Sequence, residues 1–185
     1  MTIVTPQAVP EVLLIEPKKF GDARGFFSET YYAKVLAEAG FDALFVQDNH
    51  SRSPAKGTVR GLHFQAPPFA QDKLLRVTRG AILDVAVDIR KGSPTYGQAV
   101  AVELSAENWR QLLVPKGFAH GFQTLTEDCE VLYKVSSYYN PEAERGLLWN
   151  DPALGIDWRL TGDEAFLNAR DASWPALAAL GAMFD

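Results

Sequence analysis

Apolar and polar residues alternate along much of this chain, and turn-forming residues interrupt the alternation at short intervals. From Leu83 to Ile89, the residues Leu83, Val85, Val87 and Ile89 share one face of an extended strand, and Asp84, Ala86 and Asp88 share the other. Comparable runs rich in Val, Ile, Phe, Tyr and Leu lie between turn signals at Gly21-Asp22, Asn49, Lys56-Gly57, Pro67-Pro68, Arg79-Gly80, Gly92-Ser93-Pro94, Pro115-Lys116-Gly117 and Asn140-Pro141. This rhythm predicts an all-β sandwich or closed barrel of antiparallel strands, not alternating βαβ units. The runs Lys73–Thr78 and Ala81–Ile89, joined at Arg79-Gly80, predict a β-hairpin.

Helix signals are few. Ser28 is placed to cap a helix over Tyr31–Ala39, with Gly40 just past its end. Ser105 can begin a single turn through Asn108. Ser173, before Trp174-Pro175, can cap a short helix through Leu180, because proline is tolerated in a first turn. With no internal repeat and no linker, residues 1–185 read as one β-dominated domain.

Composition narrows the function classes. At 185 residues and 20.4 kDa the chain can bury a real core. A net charge of -5 and a pI near 5.2 argue against nucleic acid as a partner. The single cysteine, Cys129, excludes an internal disulfide and favours the reducing cytoplasm. The apolar run Val12–Ile15 is too short for a signal-peptide core or a membrane span and reads as a strand.

Two of the three histidines, His63 and His120, lie in glycine-flanked, strand-like phrases, RGLH and PKGFAHGF. Inside a barrel such a histidine is a structural residue, a metal ligand or a base. Pro115-x-Gly117-x-x-His120 resembles the second motif of the cupin barrels, whose first motif supplies H-x-H and a glutamate to a metal, and the stretch after His63 offers Gln65 and Lys73 in their place. Neither is a good ligand, so no metal is expected. There is no nucleophile elbow and no phosphate-cradling glycine loop. Asp84 and Asp88 share a strand face and could mimic a glycosidase pair, although paired acids on a strand are usually hydrogen-bonded or solvated. Cofactor-free proton transfer remains, with His63 as base, Tyr133 as acid and Lys73 as a fixed positive charge beside a developing oxyanion.

An ordered set of phrases carries a closer resemblance: FGDARGFF at Phe20–Phe27, FVQDNHS at Phe45–Ser51, RGLHFQ at Arg60–Gln65, QDK at Gln71–Lys73, DVAVD at Asp84–Asp88 and GSPTYG at Gly92–Gly97. PKGFAHGF at Pro115–Phe122, Tyr133-Lys134, Tyr138-Tyr139 and WND at Trp149–Asp151 continue it. Together they resemble the dTDP-4-dehydrorhamnose 3,5-epimerases, which have a cupin-like double-stranded β-helix, a jelly-roll barrel with a few short helices.

The resemblance implies a dTDP-4-keto-6-deoxyglucose substrate, inversion at carbons 3 and 5, and no cofactor. It assigns His63 as base with Asp171 as its partner, Tyr133 as the opposite-face acid, and Lys73 near the C4 oxygen. It places Arg24, Glu29, Gln47, Asp48, Asn49, Arg60, His120 and Glu144 on the nucleotide sugar, with Tyr139 stacked on thymine. It also implies a homodimer that exchanges an N-terminal strand, for which Val12–Ile15 is a candidate edge.

One departure stands out. Asn168-Ala169-Arg170-Asp171 carries Arg170 where the family usually has lysine, which keeps the charge and changes its shape. The tail after Ser173 shows little resemblance and is expected only to pack. Three alternatives stay open from the sequence: a 3-only epimerase, a non-catalytic sugar-nucleotide binding cupin, and a metal-dependent cupin enzyme.

Overall fold

The structure, a computed structural model, describes residues 2–184. The strands in chain order are β1 (Ile3–Pro6), β2 (Leu13–Glu16), β3 (Lys19–Asp22), β4 (Gly25–Ser28), β5 (Gln47–Ser53), β6 (Val59–Gln65), β7 (Lys73–Arg79), β8 (Ala81–Asp88), β9 (Ala99–Ser105), β10 (Gln111–Val114), β11 (Phe118–Thr124), β12 (Cys129–Val135) and β13 (Glu144–Gly146). They form a six-stranded sheet in the order β1-β2-β10-β7-β12-β5, a five-stranded sheet in the order β13-β6-β11-β8-β9, and the separate hairpin β3-β4. Every one of these strand pairs is antiparallel. The architecture is the all-β, cupin-like jelly roll anticipated above. Among the described residues no helix is long and apolar enough to cross a membrane.

The two large sheets face each other over a core that includes Leu75, Val77, Leu112, Val114 and Val131 from one, and Ile82, Ala86, Leu104 and Phe118 from the other. The alternation in β8 is used on both sides. Ile82 and Ala86 enter this inter-sheet core, while Leu83, Val85 and Val87 pack outward under Leu147, Trp149, Leu154, Trp158 and Leu180. On the outer face of the six-stranded sheet, Leu36 of the helix α1 (Ala33–Glu38) covers Leu13, Ile15, Leu74 and Leu113.

Several sequence readings are corrected. Lys73–Arg79 and Ala81–Asp88 do not form a hairpin: β7 pairs with β10 and β12, β8 with β9 and β11, so Arg79-Gly80 is a corner between sheets. Gly80 has φ +75, and a Cβ there would stand 2.5 Å from Thr126 Oγ1 and 2.7 Å from Cys129 Sγ. Alternation fixes which face a residue takes, not which strand it pairs with. The helix begins at Ala33, and Ser28 does not cap it; the Ser28 hydroxyl instead accepts from the Trp109 indole at 3.0 Å. Asn49 lies inside β5 rather than in a turn.

The C-terminal helix is replaced by 3-10 turns at Asp171–Ser173 and Leu177–Ala179, and Ser173 Oγ donates back to the Arg170 carbonyl instead of capping. Nor is Val12–Ile15 an edge. β2 is paired on both sides, and β1 forms that margin of the sheet.

Candidate active site

A cleft opens between the inner faces of the two sheets, in two adjoining lobes of about 310 Å³ and 270 Å³. His63, Lys73, Tyr133, Tyr139 and Glu144 line both lobes. Arg60, His120, Arg170 and Asp171 line one, and Gln47 and Asn49 the other.

A break in strand regularity puts Arg60 and His63 in the same cleft. Simple alternation would send two residues this far apart to opposite faces. Along β11, however, His120 pairs with His63 and Phe122 with Arg60, so two steps on β11 match three on β6. That bulge resets the alternation and re-aims the side chain after it. Gly61, at φ +131, makes it possible, because a Cβ there would lie 2.6 Å from Gly121 Cα.

His63 Nε2 meets Asp171 Oδ1 at 2.7 Å, and the Gly61 N–H donates to Asp171 Oδ2 at 3.2 Å. Burial alone would push the Asp171 carboxyl up, but the His63 contact and the Gly61 amide outweigh it and hold the group below the usual range. An ionised carboxylate makes Nε2 the proton-bearing nitrogen of neutral His63, leaving Nδ1 as the free lone pair. The Asp171 main-chain N–H is itself held by Asn168 Oδ1 at 2.7 Å.

Lys73, on β7, donates to the His63 carbonyl at 3.3 Å. Burial lowers its pKa to about 8, against the opposing pull of Asp84 and Glu144. Tyr133, on β12, is raised by burial and stays protonated through the neutral range, with nearby Arg60 pulling the other way. His63 and Tyr133 therefore stand on opposite sheets, facing one cleft.

The second histidine is held differently. His120 Nε2 contacts the fully buried Asp84 Oδ1 at 2.7 Å, and burial lowers the His120 pKa. Asp84 and Asp88 do not form a carboxylate pair: Asp88 is tied to Arg90 at 2.7 Å and to Ser93 and Thr95 at 2.6 Å each. Gln65 Nε2 donates to the Phe69 carbonyl at 2.7 Å, which commits that amide to the loop.

At the rim, Glu144 Oε2 accepts from Arg170 at 2.7 Å and from the Tyr139 hydroxyl at 2.9 Å. Arg170 thus uses its guanidinium to hold Glu144 across the cleft mouth. Gln47 Nε2 donates to Asn49 Oδ1 at 2.8 Å within the cleft wall.

Three of the candidate site residues lie elsewhere. Arg24 is exposed at the tip of the β3-β4 hairpin, where it pairs with Asp22. Glu29 is exposed and lines a separate small hollow beside α1. Asp48 points to the opposite face of β5 from Gln47 and Asn49 and binds Lys134 at 2.9 Å. His50 is a strand residue facing outward, 3.2 Å from Glu130.

The sequence pointed to Asp84 only as half of a carboxylate pair and not as the partner of His120. Its signal was a carboxylate on a strand face otherwise bound for the core. Trp174 had none, yet its ring meets the His63 ring edge to face at 6.2 Å, so the tail does more than fill space.

Comparison with known proteins agrees with this geometry. Residues 6–179 match the family model described as dTDP-4-dehydrorhamnose 3,5-epimerase. The enzyme of that name from Salmonella typhimurium is 54% identical over 96% of both chains. A crystal structure of a Legionella pneumophila dTDP-6-deoxy-D-glucose-3,5-epimerase, in complex with dTDP-4-keto-L-rhamnose, superposes with a TM-score of 0.93 at 47% identity, covering 98% of this chain and 96% of that one. A Bacillus anthracis dTDP-4-dehydrorhamnose 3,5-epimerase with TDP and pyrophosphate bound gives a TM-score of 0.91 at 50% identity, covering 95% and 99%.

Proposed function

Because this chain belongs to the dTDP-4-dehydrorhamnose 3,5-epimerase family, we propose that the cleft between its sheets inverts carbons 3 and 5 of dTDP-4-keto-6-deoxyglucose by proton transfer alone. The activity is that of a nucleotide-sugar epimerase, an isomerase.

The C4 ketone acidifies the C–H bonds on both neighbouring carbons, so one base can serve each in turn. Neutral His63 takes the proton through Nδ1, and the Asp171 carboxylate stabilises the imidazolium. Negative charge then collects on the C4 oxygen as an enolate, where the Lys73 ammonium stabilises it. Tyr133 returns a proton from the other side, and inversion results because removal and delivery use opposite faces of the ring. Each inversion leaves His63 protonated and Tyr133 deprotonated, and proton exchange with solvent restores both before the second carbon is inverted, so the pathway balances in protons and needs no cofactor. The single observation behind the reading is the placement of His63 and Tyr133 on opposing sheets around one cleft.

Arg60 supplies a guanidinium suited to the diphosphate, and Tyr139 an exposed ring suited to stacking on the base. Arg24 and Glu29 lie off this cleft, which fits a cytoplasmic homodimer in which each single-domain chain, residues 1–185, offers its hairpin to the partner's cleft. The exposed Phe20, Phe26 and Phe27 on that hairpin support a covered surface there.

The test is incubation with dTDP-4-keto-6-deoxyglucose in deuterated water, with the label mapped by NMR. Deuterium at carbons 3 and 5 is the expected result. Label at carbon 3 alone makes the protein a mono-epimerase, and no label at either carbon removes the catalytic reading.

A further inference from the structure

We propose that Trp174 is a positioning residue for the base: its indole fixes the plane of the His63 ring, while Asp171 fixes its tautomer. This rests on His63 being the base, as argued above. One hydrogen bond from Nε2 leaves an imidazole free to pivot about that bond. A base that must reach two different carbons through Nδ1 loses productive geometry when it pivots. A flat wall against the ring removes that freedom.

The wall is present. The indole and the imidazole meet edge to face, with centroids 6.2 Å apart and planes at 76°. The indole also lies on Gly146, where a Cβ would come within 2.3 Å of its Cδ2 and Cε2 atoms. Gly146 is the residue paired with His63 across β13 and β6, so the bare backbone at 146 makes the slot the indole occupies. Among the described residues no protein acceptor reaches the buried Trp174 Nε1, so no hydrogen bond sets the ring's orientation; packing on Gly146 and the Arg170 guanidinium, 6.0 Å from the ring centroid, do.

Both contacts on His63 come from one short segment that is anchored at each end. Asn168 Oδ1 holds the Asp171 amide at 2.7 Å. Beyond the tryptophan, the Pro175 carbonyl accepts from Leu148 N at 2.8 Å, and Asp151 Oδ2 accepts from Leu177 N at 2.7 Å. Carboxylate and wall are therefore placed together.

The experiment measures deuterium wash-in at carbons 3 and 5 in Trp174→Ala, Trp174→Leu, Trp174→Phe and Gly146→Ala, with dTDP affinity and melting temperature alongside. His63→Ala is run in parallel. Trp174→Ala and Trp174→Leu should lower kcat by about 10²-fold with KM and dTDP affinity little changed. Trp174→Phe, which keeps a flat ring, should restore most of the rate. Gly146→Ala keeps the tryptophan but displaces it and should reproduce the loss.

Parental kcat in folded Trp174→Leu or Gly146→Ala overturns the proposal, as does a loss confined to KM or a Phe variant no better than Leu. Should Trp174→Ala fail to fold, those comparisons still decide. Undiminished exchange in His63→Ala instead overturns the assignment of the base, independently of the tryptophan variants.

Discussion

Raising the pH should switch the reaction off at Lys73 well before it reaches Tyr133. Burial lowers the lysine to about 8 from an ordinary 10.5, a preference of roughly 3 kcal/mol against the charged form. Burial moves Tyr133 the other way, so the phenol keeps its proton above the range in which the lysine loses its own. The enolate needs a cation beside it, and in this mechanism protonated Lys73 is the group that supplies it. kcat/KM, which reports the free enzyme, should therefore bend near pH 8 and fall about tenfold per pH unit above it.

Deprotonation of Lys73 does not itself destabilise the fold over that limb. The folded lysine binds its proton more weakly than the unfolded one, so between about 8 and 10.5 the unfolded chain holds more protons, and the lysine's contribution makes stability rise with pH. Activity lost over a window in which the melting temperature holds or climbs is a titration of the site. Lys73→Arg keeps a charge throughout and should abolish the limb, at a lower plateau because its fork does not match a point charge. Lys73→Met should lose about 10²–10³-fold at every pH. The assay is initial-rate epimerisation from pH 6 to 10 with parallel melting curves. A profile flat to pH 10, or an unchanged limb in the arginine variant, refutes the role given to Lys73.

His63→Ala should cut proton exchange at both carbons by about 10²–10⁴-fold, measured by deuterium wash-in. Tyr133→Phe should spare part of that exchange while impairing inversion at carbon 5, which product NMR separates. Burial opposes ionisation of Asp88, but hydrogen bonds from Arg90, Ser93 and Thr95 prevail and hold it at about 2. Its contribution of about 2 kcal/mol is thus present above 3.8 and lost as pH falls toward 2, and Asp88→Asn should flatten that part of the acid-denaturation curve. Light scattering should give twice the chain mass, and a stable monomer would remove the dimer and with it the account of Arg24 and Glu29.

The strands were legible because each short apolar run must find a buried face, and β8 shows how much that constrains. Leu83, Val85 and Val87 go one way and Ile82 and Ala86 the other, as period two requires. The same pattern is silent on pairing, since a residue on the inner face of either sheet meets the same kind of core. Arg79-Gly80 consequently reads as a hairpin turn, although it crosses between sheets. The cleft depends on a second feature that periodicity hides. Arg60 and His63 share it only through the bulge at Gly61, an event set by a close approach to Gly121 from a distant strand.

The phrase resemblance supplied those residues without their geometry, and it placed Arg24, Glu29 and Asp48 in a site that one chain does not assemble. Trp174 marks the limit from the other side. A single tryptophan in an irregular tail has no period to mark it, and its contact with His63 follows from Gly146 having no side chain on another strand. Contacts made through packing between remote parts of the chain are invisible to pattern for this reason. Their signal is an absence of volume elsewhere in the chain, and only the folded arrangement brings the two together.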